Sequence, residues 1–413
     1  MKLSGKFNKK WLIVLTALLL VATSVLSACS NATTSTTSTQ TFGTATTVTS
    51  TVTQPAATST ITTTTTTTAP VITSTITTTT TTATTAALVP LNGAGGTFPA
   101  PLYTKWFDAY NKLTGIKINY NAIGSGGGIT QITNGTVDFG ASDGIMTDAQ
   151  VAAAQAANGP ILHIPMTIGP VAIVYSLPYM GTTQLKLTGD VLAKIYLKQI
   201  TQWNDPAIVA LNPGVNFTNA AIAVVHRSDS SGTTYIFTNY LSKVSTDWST
   251  KVGNATAVNW PGDIGGQGSA GVAGQVTQIF GSIGYVELAY AIQNKMPYAL
   301  MQNSSGNYIA PSVDSASKAA EGVTLPDDMK IMITNSGNPA AYPIVGFTWI
   351  LAYVNQTDKV KGQELVDMLW WAIHDGQQYN NALSYPVLPA AAVTKAEAEI
   401  RSIKYQGVPL LNK

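Results

Sequence analysis

The chain has 413 residues, with 22 Lys and Arg against 20 Asp and Glu, so its formal net charge is only +2 and its basic residues are scattered rather than striped. That balance excludes the electrostatic footprint of a nucleic-acid-binding protein. A single cysteine, Cys29, excludes both a disulfide framework and a Cys-ligated metal cluster.

The first element in chain order is an address. Lys2, Lys6, Lys9 and Lys10 precede an apolar run from Trp11 to Val25, which meets Leu26-Ser27-Ala28-Cys29. A basic start, a short apolar run and small residues are the layout of a signal peptide, here residues 1–28. The run is shorter than the roughly 20 apolar residues needed to span a bilayer. A cysteine directly after Leu-Ser-Ala resembles a bacterial lipobox, in which cleavage before Cys29 and acylation of its sulfur anchor the mature chain to the membrane. Residues 29–87 are almost wholly Thr, Ser, Ala and Val, with Pro55 and Pro70 and no charge. Too few large apolar side chains are present to offset the entropy of ordering, so the tract reads as a disordered tether open to O-glycosylation. An adhesive stalk is the competing reading.

From Leu88 onward, helical and strand-like segments alternate. Pro99 suits the first turn of a helix that runs to Thr114 and stops at Gly115. Ile116 to Ile123 reads as a strand, Gly124 to Gly128 opens a short helix ending near Asn134-Gly135, and Val137 to Ser142 is a strand ending at Asp143. A helix starts at Thr147 or Asp148 and covers Ala149 to Ala157. Ile161 to Leu177 is one or two buried strands. Thr188 caps a helix to Ile200, Ala221 to Val225 is a compact apolar run, and a long helical pattern after Gly232 continues through Lys251. Gly262 to Gly274 is glycine-dense, with Gly266 to Gly271 read as a loop; Ser282 to Glu287 and Tyr342 to Val354 read as strands, and Lys359 to Tyr379 as a helix. Such alternation predicts an α/β fold. Chain crossovers near Ser176 and Ala341 predict two lobes, residues 88–176 with 341–413 and residues 177–340, with the C-terminal helices returning to the first.

Three polar, glycine-bearing segments lie just before helices: Thr97-Phe98, Ser125-Gly126-Gly127 and Ser231-Gly232-Thr233-Thr234. A helix start offers unpaired N–H donors and partial positive charge, and glycine lets an anion approach the backbone. For any one of them, ordinary N-capping and turn chemistry is the more frequent explanation. Arg227 adds a positive fork able to donate two parallel hydrogen bonds to an oxyanion, and Asp229 is placed to hold it; an exposed surface pair is the plainer alternative. Asp143 discriminates between ligands, because a carboxylate in an anion site repels any ligand that brings no proton, as sulfate does and hydrogen phosphate does not. Alone, Asp143 could equally cap a turn.

These segments carry a family resemblance. Asn92-Gly93-Ala94-Gly95-Gly96-Thr97-Phe98-Pro99-Ala100-Pro101, Ile123-Gly124-Ser125-Gly126-Gly127-Gly128 and Val137-Asp138-Phe139-Gly140-Ala141-Ser142-Asp143 resemble, in order and spacing, the phosphate ABC-transporter substrate-binding (PstS) family. Ala223 to Thr234, Asn259-Trp260-Pro261 and Gly281-Ser282-Ile283-Gly284-Tyr285-Val286-Glu287 are similar to its later motifs. The resemblance covers Leu91 to the C-terminus. It implies a type II periplasmic-binding-protein fold, two hinge-linked lobes closing over one phosphate without metal or cofactor. It implies an extracytoplasmic, lipid-anchored monomer that is not an enzyme and hands phosphate to an ABC-transporter permease and its ATPase. The implied contacts are Thr97, Phe98, Ser125, Asp143, Arg227, Ser231, Gly232 and Thr233, with Asp229 orienting Arg227 and Asp143 accepting the ligand proton. Phe98 and Gly232 would offer mainly backbone N–H groups. Two departures stand out: Gly126 where a second serine is common, and His226 where a second arginine often precedes Arg227.

Other readings compete. Gly140-Ala141-Ser142-Asp143-Gly144 matches the G-x-S-x-G pattern of serine hydrolases, but the helix signal starts too late and none of His163, His226 and His374 is marked as a partner. Gly266 to Gly271 fits the dinucleotide pattern without a strand leading into it or an acidic residue at the expected distance after it. The dispersed histidines suggest no metal site. Trp106-Phe107 and Trp370-Trp371 fit helix core faces better than a sugar platform. Binding of sulfate or molybdate, or an adhesin built on this fold, remains as the third class.

Overall fold

A computed structural model of the chain describes residues 88–262 and 264–411, together with the backbone of three short antiparallel strands, Thr33–Ser35, Val48–Gln54 and Ala57–Thr63. The basic and apolar N-terminal segment, Cys29 and the rest of the Thr-rich tract lie outside the described residues. Residues 88–413 form a compact unit of their own.

The unit opens with β1 (Leu91–Gly95), a strand that the sequence pattern did not mark, followed by α1 (Ala100–Thr114), β2 (Ile118–Ala122), α2 (Ser125–Thr133), β3 (Phe139–Ser142) and α3 (Asp148–Asn158), these five within a few residues of their predicted limits. α1 buries Leu102, Tyr103, Trp106, Phe107 and Tyr110, a stripe at helical spacing, and ends at Gly115 with φ 79°. Thr147 and Gln150 form a reciprocal capping box at the start of α3. Ile161–Tyr175 is a single strand, β4, with nearly every residue buried, as expected of a strand covered on both faces.

Three predicted elements change. Thr188 caps a helix as expected, but α4 covers only Gly189–Tyr196, and Lys198 at φ 59° carries the chain away from the helical path. After β5 (Ala223–Arg227), the helical pattern to Lys251 divides into α5 (Gly232–Val244) and α6 (Thr246–Lys251), because Ser245 turns extended and caps the second helix through the Trp248 N–H. The glycine-dense stretch is not a loop: it holds β6 (Ile264–Gly266) and the start of α7 (Gly268–Gln278). A strand therefore does lead into Gly266–Gly271, contrary to the sequence reading. The chain continues through β7 (Ser282–Glu287), α8 (Leu288–Gln293) and β8 (Val345–Tyr353). It closes with α9 (Lys359–Ile373), a 3-10 turn at Asp375–Tyr379, and α10 (Ala390–Ser402).

Eight strands make one mixed sheet in the order β6-β5-β7-β4-β8-β3-β1-β2. Its two halves meet on β4, which pairs antiparallel with β8 through Ile161 to Pro170 and with β7 through Val171 to Tyr175. The pairing of β4 with β8 shifts by one residue, from Thr348↔Thr167 to Trp349↔Pro165, leaving Met166 as a bulge. β3, β1 and β2 lie on one side of this seam, and β7, β5 and β6 on the other. α9 returns to the β1 half, where Trp371 lies 5.3 Å from the Tyr110 ring of α1. Trp106, Phe107 and Trp371 are all core residues, as their helical spacing implied.

Candidate functional site

The sheet order brings the carboxyl ends of β1, β3 and β5 to one place, so residues far apart in sequence meet there. Gly96 to Phe98 follow β1, Ser125 begins α2, Asp143 follows β3, and Ser231 to Thr233 begin α5. Arg227 ends β5. Thr97, Ser125, Asp143, Arg227, Ser231 and Thr233 are all buried, an unusual concentration of polar groups for a protein interior.

Ser125 is the hub. Its Oγ accepts the Gly232 N–H at 3.0 Å and the Asp143 N–H at 3.2 Å, and donates to Asp143 Oδ2 at 3.4 Å. Ser231 caps α5 by accepting the Thr234 N–H at 3.2 Å, which leaves its own hydroxyl hydrogen to donate elsewhere. Arg227 donates from Nε to Asp229 Oδ1 at 2.8 Å, from Nη2 to Oδ2 at 2.5 Å and from Nη1 to Thr233 Oγ1 at 3.3 Å. A guanidinium carries five N–H donors, so this grip leaves donors over and fixes their direction. The pair is not the exposed surface bridge of the plainer reading, since the Arg227 side chain is 1% exposed and that of Asp229 14%. Burial works to raise the Asp229 pKa, but the Arg227 hydrogen bonds and charge and the Gly268 N–H outweigh it and hold the carboxyl below its usual value.

Asp143 is the opposite case. Burial pushes its carboxyl up to about 7, against the lowering effects of the Thr348 hydroxyl, the Arg227 charge and the Ser125 hydroxyl. Thr348 Oγ1 donates to Oδ1 at 2.8 Å. Thr348 sits beside the β4 bulge, the kind of irregularity that re-aims side chains. The site thus holds a carboxyl poised near neutrality among hydroxyl, amide and guanidinium donors. That arrangement suits an oxyanion able to share a proton.

Against that geometry, the comparisons with known proteins are specific. A profile described as a PBP superfamily domain matches residues 30–364. The phosphate-binding protein PstS of Xylella fastidiosa (strain 9a5c) is 45% identical over 312 residues, covering 75% of this chain and 84% of that protein. PstS of Pasteurella multocida (strain Pm70) is 42% identical over 319 residues, covering 77% and 91%. The chain belongs to the PstS family. Among solved structures, a phosphate-binding protein from Stenotrophomonas maltophilia superposes with a TM-score of 0.59 at 19% identity, covering 75% of this chain and 93% of that one, which shows likeness of fold. The fold is that of the periplasmic binding proteins, mixed α/β with a curled sheet, and the family consists of substrate-binding proteins rather than enzymes.

The PstS departures have structural reasons. A Cβ at Gly126 would lie 2.2 Å from Ser230 Oγ, so Ser230 fills the space a side chain at 126 would need. The Gly126 N–H instead donates to Ser230 O at 3.0 Å. His226 stays outside the cage: its ring stacks on Trp260 at 4.9 Å, and its nitrogens lie 3.0 Å from Arg227 O and 3.3 Å from Gly262 O. Ser142 is no hydrolase nucleophile. Its hydroxyl donates to Gly144 O at 2.5 Å and accepts the Gly144 N–H at 3.1 Å, and the next helix begins only at Asp148. No group of three or more His, Cys, Asp or Glu suited to a metal occurs among the described residues.

Four contributors escaped the sequence reading. Thr348 holds Asp143. Tyr385 donates to Phe98 O at 2.6 Å, and Tyr290 donates to Thr97 O at 2.6 Å. With both carbonyls held by tyrosine hydroxyls, the loop has a fixed orientation. The ring of Phe98 is fully buried against Tyr385, leaving the backbone as its part nearest the cage. Ser269, the fourth, meets Thr97 from α7, with its N–H donating to Thr97 Oγ1 at 3.2 Å. A cavity of about 210 Å³ beside Thr97, Asp229 and Tyr290 adjoins the cage. A larger hollow of about 540 Å³ along residues 321–339 has no buried charged side chain in its lining, so size alone does not mark the site.

Proposed function

We propose that this chain captures inorganic phosphate outside the cytoplasm and delivers it to an ABC-transporter permease and its ATPase. Asp143 carries the reading: a buried carboxyl bonded by Ser125 and Thr348 and set beside Arg227 and the α5 start rewards, in its ionised form, an oxyanion that brings a proton and penalises one that brings none. Phosphate would be held by the Thr97 and Phe98 loop, Ser125 and Asp143 from one lobe, and by Arg227, Ser231, Gly232 and Thr233 from the other. The lobes in this reading are residues 88–176 with 341–413 and residues 177–340, hinged where β4 passes from β8 to β7. Closure is the state the permease reads, and ligand must bind the closed state better than the open one to shift the balance. The PstS relatives named above are phosphate-binding proteins, which supports the same ligand.

Calorimetric titration of residues 88–413, freed of co-purified ligand, tests the reading at neutral pH. The expected result is tight one-to-one phosphate binding with little response to sulfate. A folded, ligand-free sample that binds sulfate as well as phosphate, or neither, would overturn it.

The N-terminus adds an anchor to this proposal. Residues 1–28 act as a lipoprotein signal, Cys29 takes the lipid, and residues 29–87 tether a monomeric binding unit to the membrane. No helix among the described residues is long and apolar enough to cross a membrane. Cys29→Ser, expressed in a bacterium fed a labelled fatty acid, is expected to lose all label and to leave the membrane fraction. Retention of label in the variant would refute the assignment.

A further inference from the structure

Of the groups around the cage, Ser269 and Tyr290 are not among the contacts implied by the family motifs, yet both converge on Thr97 from the far half of the sheet. Thr97 follows β1; Ser269 lies in the first turn of α7, after β6; Tyr290 lies on α8, after β7. Ser269 is fully buried. Its N–H donates to Thr97 Oγ1 at 3.2 Å, and its hydroxyl lies 3.1 Å from the same oxygen. Tyr290 donates to the Thr97 carbonyl at 2.6 Å. The neighbouring Gly268 N–H donates to Asp229 Oδ1 at 2.9 Å, so the start of α7 also braces the residue that aims Arg227.

We infer that Ser269 and Tyr290 form a latch on Thr97 that holds the two halves together through direct protein–protein bonds and orients the Thr97 hydroxyl toward the anion. The inference rests on the phosphate-binding reading for its second half only. Thr97 Oγ1 accepts from the Ser269 amide. When it also accepts from the Ser269 hydroxyl, its two lone pairs are filled and its own hydrogen is committed to another acceptor, the anion. Ser269 is therefore a positioning residue, acting on the ligand through Thr97. Because the bonds join segments on opposite sides of the β4 seam, they form as the halves close and break as they open. Their strength enters the open–closed balance, and hence the rate at which ligand escapes.

The test uses Ser269→Ala, Ser269→Thr and Tyr290→Phe in residues 88–413, a compact unit. Small-angle X-ray scattering on ligand-free protein reads the latch alone. Ser269→Ala combined with Tyr290→Phe is expected to enlarge the radius of gyration relative to wild type, with Ser269→Thr unchanged. Stopped-flow kinetics with inorganic phosphate read the positioning role. Ser269→Ala, which removes the hydroxyl contact to Thr97 and keeps the backbone N–H, is expected to raise the dissociation rate roughly tenfold with little change in association, as befits one lost buried hydrogen bond, and Ser269→Thr to restore it. Equal radii together with an unchanged dissociation rate would overturn the latch. If wild type bound no phosphate, the functional reading would fail while the scattering comparison still decided the latch.

Discussion

Gly232→Ala is expected to abolish tight phosphate binding while leaving the fold intact. A Cβ at Gly232 would lie 2.6 Å from the carbonyl carbon, Cα and Cβ of Asp143, and two of those atoms are backbone that cannot rotate away. Gly232 begins α5 on one half of the sheet and Asp143 follows β3 on the other, so the collision is relieved by holding the halves apart. Separation breaks the bond from the Gly232 N–H to Ser125 Oγ and moves Arg227 away from Asp143. Overpacking typically costs about 1–3 kcal/mol, and the lost donors add to it, so affinity should fall on the order of 100-fold or more. Alanine is a good helix former at this position, and Gly232 is not held at positive φ, so the melting temperature of the ligand-free variant should stay close to wild type. Titration together with thermal melting checks both halves. Undiminished affinity would mean that ligand is not held in the space between residues 143 and 232.

The sequence made the strand-to-helix junctions of this site readable because each is local. Glycine, serine and threonine before a helix, an arginine at a strand end and a carboxylate two residues beyond it are visible within windows of about a dozen residues. The α/β alternation was equally legible, and most helices begin at the caps that sequence chemistry marks, such as Thr147 and Thr188. What the sequence hid was long-range. Thr348 is 205 residues from Asp143, Ser269 is 172 from Thr97, and Tyr385 is 287 from Phe98, and nothing near any of them announces its partner. Ser269 was obscured for a further reason. Six glycines between Gly262 and Gly274 argue for a loop by propensity, but tertiary packing overrides that preference and sets a helix start there. Likewise the break at Ser245 is a capping event inside an otherwise continuous helical pattern.

Asp143→Asn should convert a selective site into a permissive one, and should do so with a pH signature. In its ionised form the buried Asp143 can accept a hydrogen bond from a protonated oxygen of phosphate but has no hydrogen to offer an aprotic oxyanion. An amide can donate to either. The ratio of phosphate to sulfate affinity is therefore expected to fall on the order of 100-fold, through gained sulfate binding as much as through weakened phosphate binding, since an unmet buried polar group costs about 1–3 kcal/mol. The same substitution isolates the titration of the group. Burial raises the folded-state pKa of Asp143 from the ordinary 3.8 to about 7, so between those values the folded protein holds a proton that the unfolded chain has released. Stability of the ligand-free protein must then fall as pH rises through that window and level off above it, with a total of a few kcal/mol at most. Glu287, whose carboxyl is also pushed upward by burial against the opposing Ala289 N–H bond, contributes with the same sign in both proteins and cancels in the comparison except for the part of its shift that the Asp143 charge supplies. The difference in melting temperature, Asp143→Asn minus wild type, should grow from pH 4 to pH 7 and then stay constant. A flat difference, or unchanged discrimination against sulfate, would show that Asp143 is not the group that shares the ligand's proton.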